Sequence, residues 1–212
     1  MLRASLAPRS RLRWLMPFLR GAKSALVAAD AAALPFTTGS QGLVWSNLLL
    51  HWLADPQPAL REMHRVLEVD GLLMFSTLGP DSLKELRACF PDGAARSLRF
   101  IDLHDYGDML VECGFADPVM DAERLTVTYP SFDALVDELR RSGASNGLFD
   151  RPRGLTGRGA WAAARANYEA LRQDGRLPVT LEVVYGHAWK VAPKKTADGA
   201  AIVRFDPKQR LR

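Results

Sequence analysis

An α/β domain whose parallel strands are covered by helices is the fold that the sequence predicts. Three features carry it. Two short apolar runs, GLVWSN at 42–47 and GLLMFST at 71–77, each follow a turn-forming stretch and show no polar alternation, which is the pattern of strands buried on both faces. Between them, Leu60, Met63 and Leu67 recur at helical spacing, with Arg61, Glu62 and Arg65 off that face. A strand, helix, strand order is what a parallel crossover requires.

The elements follow in order. Residues 24–29 make a short apolar run that ends in Asp30, and 31–34 lead to the breaker Pro35, so strand, turn and loop are expected. Residues 42–47 form a fully buried parallel strand. The helix at 58–67 stops before Asp70-Gly71, and 71–77 form the next buried strand. Helices at 82–89 and 103–113 come next, then an antiparallel hairpin of 118–122 with 125–129. After Pro130 the spacing predicts a helix at 132–141, a loop rich in Gly, Ser, Asn and Arg up to Gly159, a helix at 161–172 and a last strand at 179–189. This divides the chain into a basic N-terminal helix (1–23), an α/β domain (24–130), a helical lobe (131–176) and a terminal strand with its tail (177–212).

Composition bounds the function. With 48% hydrophobic and 25% charged residues over 212, the chain is neither disordered nor collagen-like. The net charge is +4, but the first 29 residues hold six cations (Arg3, Arg9, Arg11, Arg13, Arg20, Lys23) and no acid, which leaves −2 on the rest. A nucleic-acid surface would carry its cations on the folded body, so no nucleic-acid partner is expected. An Arg-rich, acid-free start also fits a transit peptide. Here Leu12, Leu15, Met16 and Leu19 recur at helical spacing, so an internal helix is the reading adopted. Cys89 and Cys113 fall in separate helices with no partner at metal spacing and read as buried apolar residues in a reducing, cytoplasmic setting. No window approaches the roughly 18 apolar residues of a membrane span, so no membrane association is expected.

Three segments then place the chain in a family: ADAAALPF at 29–36, the stretch 43–87 with SNLLLHW and STLGPDSLKELR, and LPVTLEVVYGHAWK at 177–190. In order and spacing they resemble class I S-adenosylmethionine-dependent methyltransferases, and more narrowly the malonyl-acyl-carrier-protein methyltransferases of biotin synthesis. The resemblance implies a Rossmann-like sheet with a C-terminal helical cap that binds the acceptor, S-adenosylmethionine as cofactor, and acyl carrier protein bearing a malonyl group as partner.

It also implies roles. Asp30, at a strand end, would accept from the adenine amino group, and Ala31 would offer its backbone N–H to the ring, since ligands in such sheets sit outside the carboxyl ends of the strands. Ser46 and Asn47 would face the methionine part, and His51 and Trp52 would wall the cleft. Methyl transfer to an ionised carboxylate needs alignment and exclusion of water rather than a strong base. The expected catalytic residue is therefore an arginine that grips the malonyl carboxylate, with Arg99 the candidate and Arg140 or Arg141 in reserve. The competing roles are plainer: Asp30 capping its own turn, His51 and Trp52 packing, the arginines solvated.

Departures from the family pattern shape further expectations. The glycine-rich loop after the family's first strand, the acid after its second and a tyrosine of its N-terminal lid have no counterpart, and Gly42 stands where relatives have Asp. The expected sheet therefore lacks its first two strands, with Met1 an internal methionine, and the chain as given should bind the cofactor very weakly. The strand at 24–29 should be detached from that at 42–47, leaving the latter as a sheet edge. Rival functions are arginine hydroxylation, as in a complex I assembly factor with a similar YGHAWK ending, and an inactive methyltransferase-like remnant.

Overall fold

The computed structural model describes residues 26–90, 100–143 and 156–192. In chain order the elements are β1 (Gln41–Asn47), a 3-10 turn (Leu50–Trp52), α1 (Gln57–Val66), β2 (Leu67–Leu78), α2 (Lys84–Ala88), α3 (Leu103–Glu112), β3 (Phe115–Tyr129), α4 (Phe132–Arg141), α5 (Arg158–Glu169) and β4 (Leu177–Lys190). The sheet order is β1-β2-β4-β3. The expected crossover is present: β1 and β2 are parallel, and α1 connects them. β4 runs antiparallel to both β2 and β3.

α1 is preceded by Pro56 at its N-cap, has Pro58 in its first turn, carries His64 and Arg65 in its last, and gives way to extended Leu67. Its buried face, Leu60 and Met63, meets Tyr106 and Leu110 of α3 over Leu73 and Phe75 of β2 and Ala188 of β4. Leu60, Leu73 and Leu110 are fully buried, each worth about 1.5–3 kcal/mol of transfer free energy. A second core lies under α4 and α5, where Phe132, Leu135, Ala164 and Tyr168 pack on Leu177 and Val179 of β4. Ser131 caps α4 by accepting from the Ala134 N–H, and the Tyr168 hydroxyl donates to Pro178 O at 2.8 Å.

Several expectations need correction. The hairpin at 118–122 and 125–129 is instead the single strand β3, paired with β4 from Phe115 to Tyr129. A tight hairpin needs left-handed backbone at its tip, and none of residues 121–124 has positive φ. The strand at 42–47 is parallel but not fully buried: Leu43 is 55% and Trp45 75% exposed. They share a sheet face with Met74, Val119, Tyr185 and Trp189, all exposed, because α1 and α3 both cover the other face. β2 begins at Leu67 rather than Gly71, absorbing the expected turn as an irregularity with Asp70 at φ 65°. The helix at 82–89 contracts to α2, because Ser82 is engaged with β4 and Leu83 is left-handed at φ 58°, and the helix at 161–172 lies three residues earlier as α5.

Residues 26–29 form no strand, and Leu26 is 86% exposed; of the expected strand at 24–29 the first two residues lie outside the described residues. Among the described residues nothing from that run pairs with β1, which stands at the edge of the described sheet, as expected. The basic helix at 1–23 also lies outside the described residues.

Candidate functional site

The segment 30–38 is held against α1 by polar contacts that its sequence alone does not advertise. Asp30 turns on itself: its Oδ1 accepts from the Ala32 N–H at 2.9 Å and its carbonyl from the Ala33 N–H. Glu62 then accepts from the Leu34 N–H, while the Arg65 guanidinium donates to Glu62, Leu34 O and Phe36 O. The Arg65 bond first, and the Leu34 N–H next, hold the Glu62 carboxyl at about 2 against an ordinary 4.5.

Between this segment, α1 and the unpaired side of β1 lies an open groove of about 500 Å³. Ala31, Leu34, Phe36, Val44, Ser46 and Asn47 are among its lining residues. Ser46 is only 5% exposed, and its Oγ has no hydrogen-bond partner among the described residues. A buried hydroxyl costs free energy when unpaired.

A second cluster stands at the carboxyl ends of β1 and β2. Asn47 Oδ1 accepts from Ser76 Oγ, and the Leu48 N–H donates to Ser76 O at 2.9 Å in a left-handed turn at φ 51°. This turn drops His51 into the molecule, with its Nδ1 3.5 Å from Thr77 Oγ1, which lies 3.5 Å from Tyr106 Oη. Burial lowers the His51 pKa and raises that of Tyr106. The His51 ring is flanked by Trp52 at 5.1 Å and Phe100 at 6.2 Å, and the Arg87 guanidinium stands 6.0 Å from the Phe100 ring.

The turn after β2 is locked to β4. Ser82 Oγ donates to Glu182 O and accepts from the Glu182 N–H, the Asp81 N–H donates to Glu182 Oε2, and the Thr180 N–H donates to Glu85. A Cβ at Gly79 would sit 2.6 Å from Glu182 Oε2, so a side chain there would displace that carboxylate from the turn. Arg87 closes the turn through Ser82 O and Pro80 O. The signal for this lock is the GPDSLKELR run itself, whose spacing alone reads as a helix and a family marker.

Of the residues expected in a site, Ala31, Ser46 and Asn47 come together in the groove. Asp30 adjoins it, with one carboxylate oxygen spent on its own turn. His51 and Trp52 do not line the groove but stand beyond Asn47, His51 buried and Trp52 41% exposed. Arg99 lies outside the described residues. Arg140 and Arg141 are exposed in the last turn of α4, and Arg140 pairs with Asp137 at 3.4 Å, so the structure brings neither to the groove. Sequence reasoning missed Ser76, Thr77 and Tyr106: the first two end an apolar run, Tyr106 sits between Asp105 and Gly107, and only folding makes them neighbours. No metal-binding cluster occurs among the described residues, and none of their helices is long and apolar enough to cross a membrane.

The walls of the groove are largely apolar, and it has the size typical of small-molecule sites. The family model described as "Methyltransferase domain" matches residues 14–75. The fold resembles that of the YcgJ protein from Bacillus subtilis, with a TM-score of 0.50 at 15% identity over 77% of this chain and 70% of that one. Among curated relatives, malonyl-[acyl-carrier protein] O-methyltransferase of Laribacter hongkongensis is 54% identical over 98% of this chain and 71% of its own length. That of Gallionella capsiferriformans is 51% identical over 92% of this chain and 68% of its own length. Identity at this level over more than two thirds of the relatives' length means that the chain belongs to the malonyl-[acyl-carrier protein] O-methyltransferase family.

Proposed function

We propose that this chain transfers the methyl group of S-adenosylmethionine to the free carboxylate of a malonyl group carried on acyl carrier protein, a step of biotin synthesis in the cytoplasm. The observation that carries this reading is the 54% identity to a relative of that name over 98% of the chain. The cofactor supplies a methyl group on a sulfonium, which a carboxylate oxygen takes in line as the carbon–sulfur bond breaks and its electron pair stays on sulfur. The protein's share is positioning. In this reading the free carboxylate oxygen of Asp30 and the Ala31 N–H read adenine, Ser46 and Asn47 meet the methionine part, His51 and Trp52 wall the reacting end, and Arg99 grips the acceptor carboxylate. The orphaned Ser46 hydroxyl supports the second of these roles. The lobe of 131–176 serves as the cap over the acceptor. The relatives compared are named as methyltransferases, and no observation favours arginine hydroxylation.

The test is label transfer from methyl-labelled S-adenosylmethionine to malonyl-acyl carrier protein, with free malonate as the comparison. Ester formation that requires the carrier is expected; label on malonate alone, or on neither, would refute the reading. Arg99→Ala should cost on the order of 2–4 kcal/mol in kcat/KM, the range for breaking a buried charged pair.

A further inference from the structure

The buried chain from Tyr106 through Thr77 to His51 fixes more than the place of a ring. Thr77 and Tyr106 are fully buried and His51 is 7% exposed, so no bulk water settles their protons. Counting donors and acceptors does. The Tyr106 phenol keeps its proton, since burial raises its pKa, and Thr77 Oγ1 is its one side-chain partner among the described residues. If Tyr106 donates to Thr77, the threonine proton has one remaining acceptor, His51 Nδ1. The neutral imidazole then carries its proton on Nε2. The opposite tautomer would either give Thr77 two donors to accept, or, with Thr77 donating to Tyr106, leave the buried phenol proton without a side-chain acceptor among the described residues.

The Nε2 edge faces outward. The buried side-chain polar atoms without a partner among the described residues are Ser46 Oγ and His64 Nε2, so His51 Nε2 is not sealed in. No described protein group bonds it, and it stands between Trp52 and Phe100 beyond the end of β1. A proton there matters beside a sulfonium donor. An imidazole nitrogen with a free lone pair is itself a nucleophile for a methyl group, whereas a protonated neutral nitrogen is only a hydrogen-bond donor. Turning the lone pair inward to Thr77 removes a competing acceptor and presents an uncharged N–H, which orients a carboxylate without neutralising it.

We propose that Thr77 and Tyr106 are positioning residues that hold His51 as its Nε2–H tautomer, and that this N–H donates to a ligand carboxylate. The identity of that ligand rests on the methyltransferase reading, with the acceptor's malonyl group and the cofactor's methionine part as its two sources. Nitrogen NMR of the protein labelled in its histidine side chains tests the first half without any ligand: the proton is expected on Nε2. Titration with malonyl-pantetheine and, separately, with S-adenosylhomocysteine should move the His51 Nε2 resonance in one arm, and that arm names the source. Affinity for that ligand should fall roughly tenfold or more in His51→Ala, recover in His51→Gln, which keeps a donor, and fall several-fold in Thr77→Val and Tyr106→Phe. The matching ligand with an amide in place of the carboxylate should lose less, which separates positioning from a general loss of fold. A proton on Nδ1, no response in either arm, or His51→Gln as weak as His51→Ala would overturn the proposal. Failure of methyl transfer to malonyl-acyl carrier protein with the tautomer and ligand response intact would count against the function alone.

Discussion

Gly186 of β4 sits opposite Phe75 of β2 and Met120 of β3, and the substitution Gly186→Ala puts the packing of this sheet to a quantitative test. A Cβ built there lies 2.9 Å from Met120 Sδ and closer still to the Phe75 ring. Phe75 has little room to withdraw: it is 3% exposed, and its ring faces Tyr106 at 5.8 Å. Two effects oppose one another. Replacing glycine in a strand should gain about 0.5–1 kcal/mol from the unfolded chain's lost freedom. Overpacking a filled core should cost about 1–3 kcal/mol, so the net change is destabilising. For a chain of this size each kcal/mol is roughly 2–4 °C in Tm. Urea unfolding of Gly186→Ala, Phe75→Leu and the double variant is the assay, with the alanine penalty expected to shrink by about 1 kcal/mol or more once the ring is trimmed. A Gly186→Ala protein as stable as the parent, or an unchanged penalty in the double variant, would refute the claim that the ring excludes a side chain at 186.

Other perturbations probe different parts of the molecule. Tyr168→Phe removes the donor to Pro178 O beneath α5 and should cost about 1 kcal/mol in urea unfolding; an unchanged midpoint would show that the bond contributes nothing. Ser46→Ala should leave ligand-free stability equal or slightly raised, because it deletes an orphaned buried hydroxyl, while affinity for S-adenosylhomocysteine by calorimetry falls about two- to tenfold; equal affinity would remove Ser46 from the cofactor site. Glu62 titrates near 2 when folded and at about 4.5 otherwise, so its contribution to stability is fully present above pH 4.5 and is lost as pH falls through 2. The stability gap between the parent and Glu62→Gln should therefore narrow across that window, and a gap independent of pH would contradict the assignment.

The sequence by itself determined the crossover of β1, α1 and β2, because each depends on a run of at most a dozen neighbouring residues whose apolar spacing is legible locally. It also determined the family, through SNLLLHW and STLGPDSLKELR; the roles of Ala31, Ser46 and Asn47 came only by that resemblance, and the fold brings the three to one groove. Tertiary structure alone decided what depends on distant partners. Residues 118–129 look like two strands until β4, some 60 residues later, offers a partner along their whole length. GLVWSN has the composition of a buried strand, yet burial belongs to what covers a strand, and the face bearing Trp45 lies opposite the one that α1 and α3 cover. His51, Thr77 and Tyr106 are separated by 26 and 29 residues, and no local spacing predicts that three such side chains share a buried line of protons. Periodicity is a property of adjacent residues, whereas register, coverage and hydrogen-bond polarity exist only once remote segments have met.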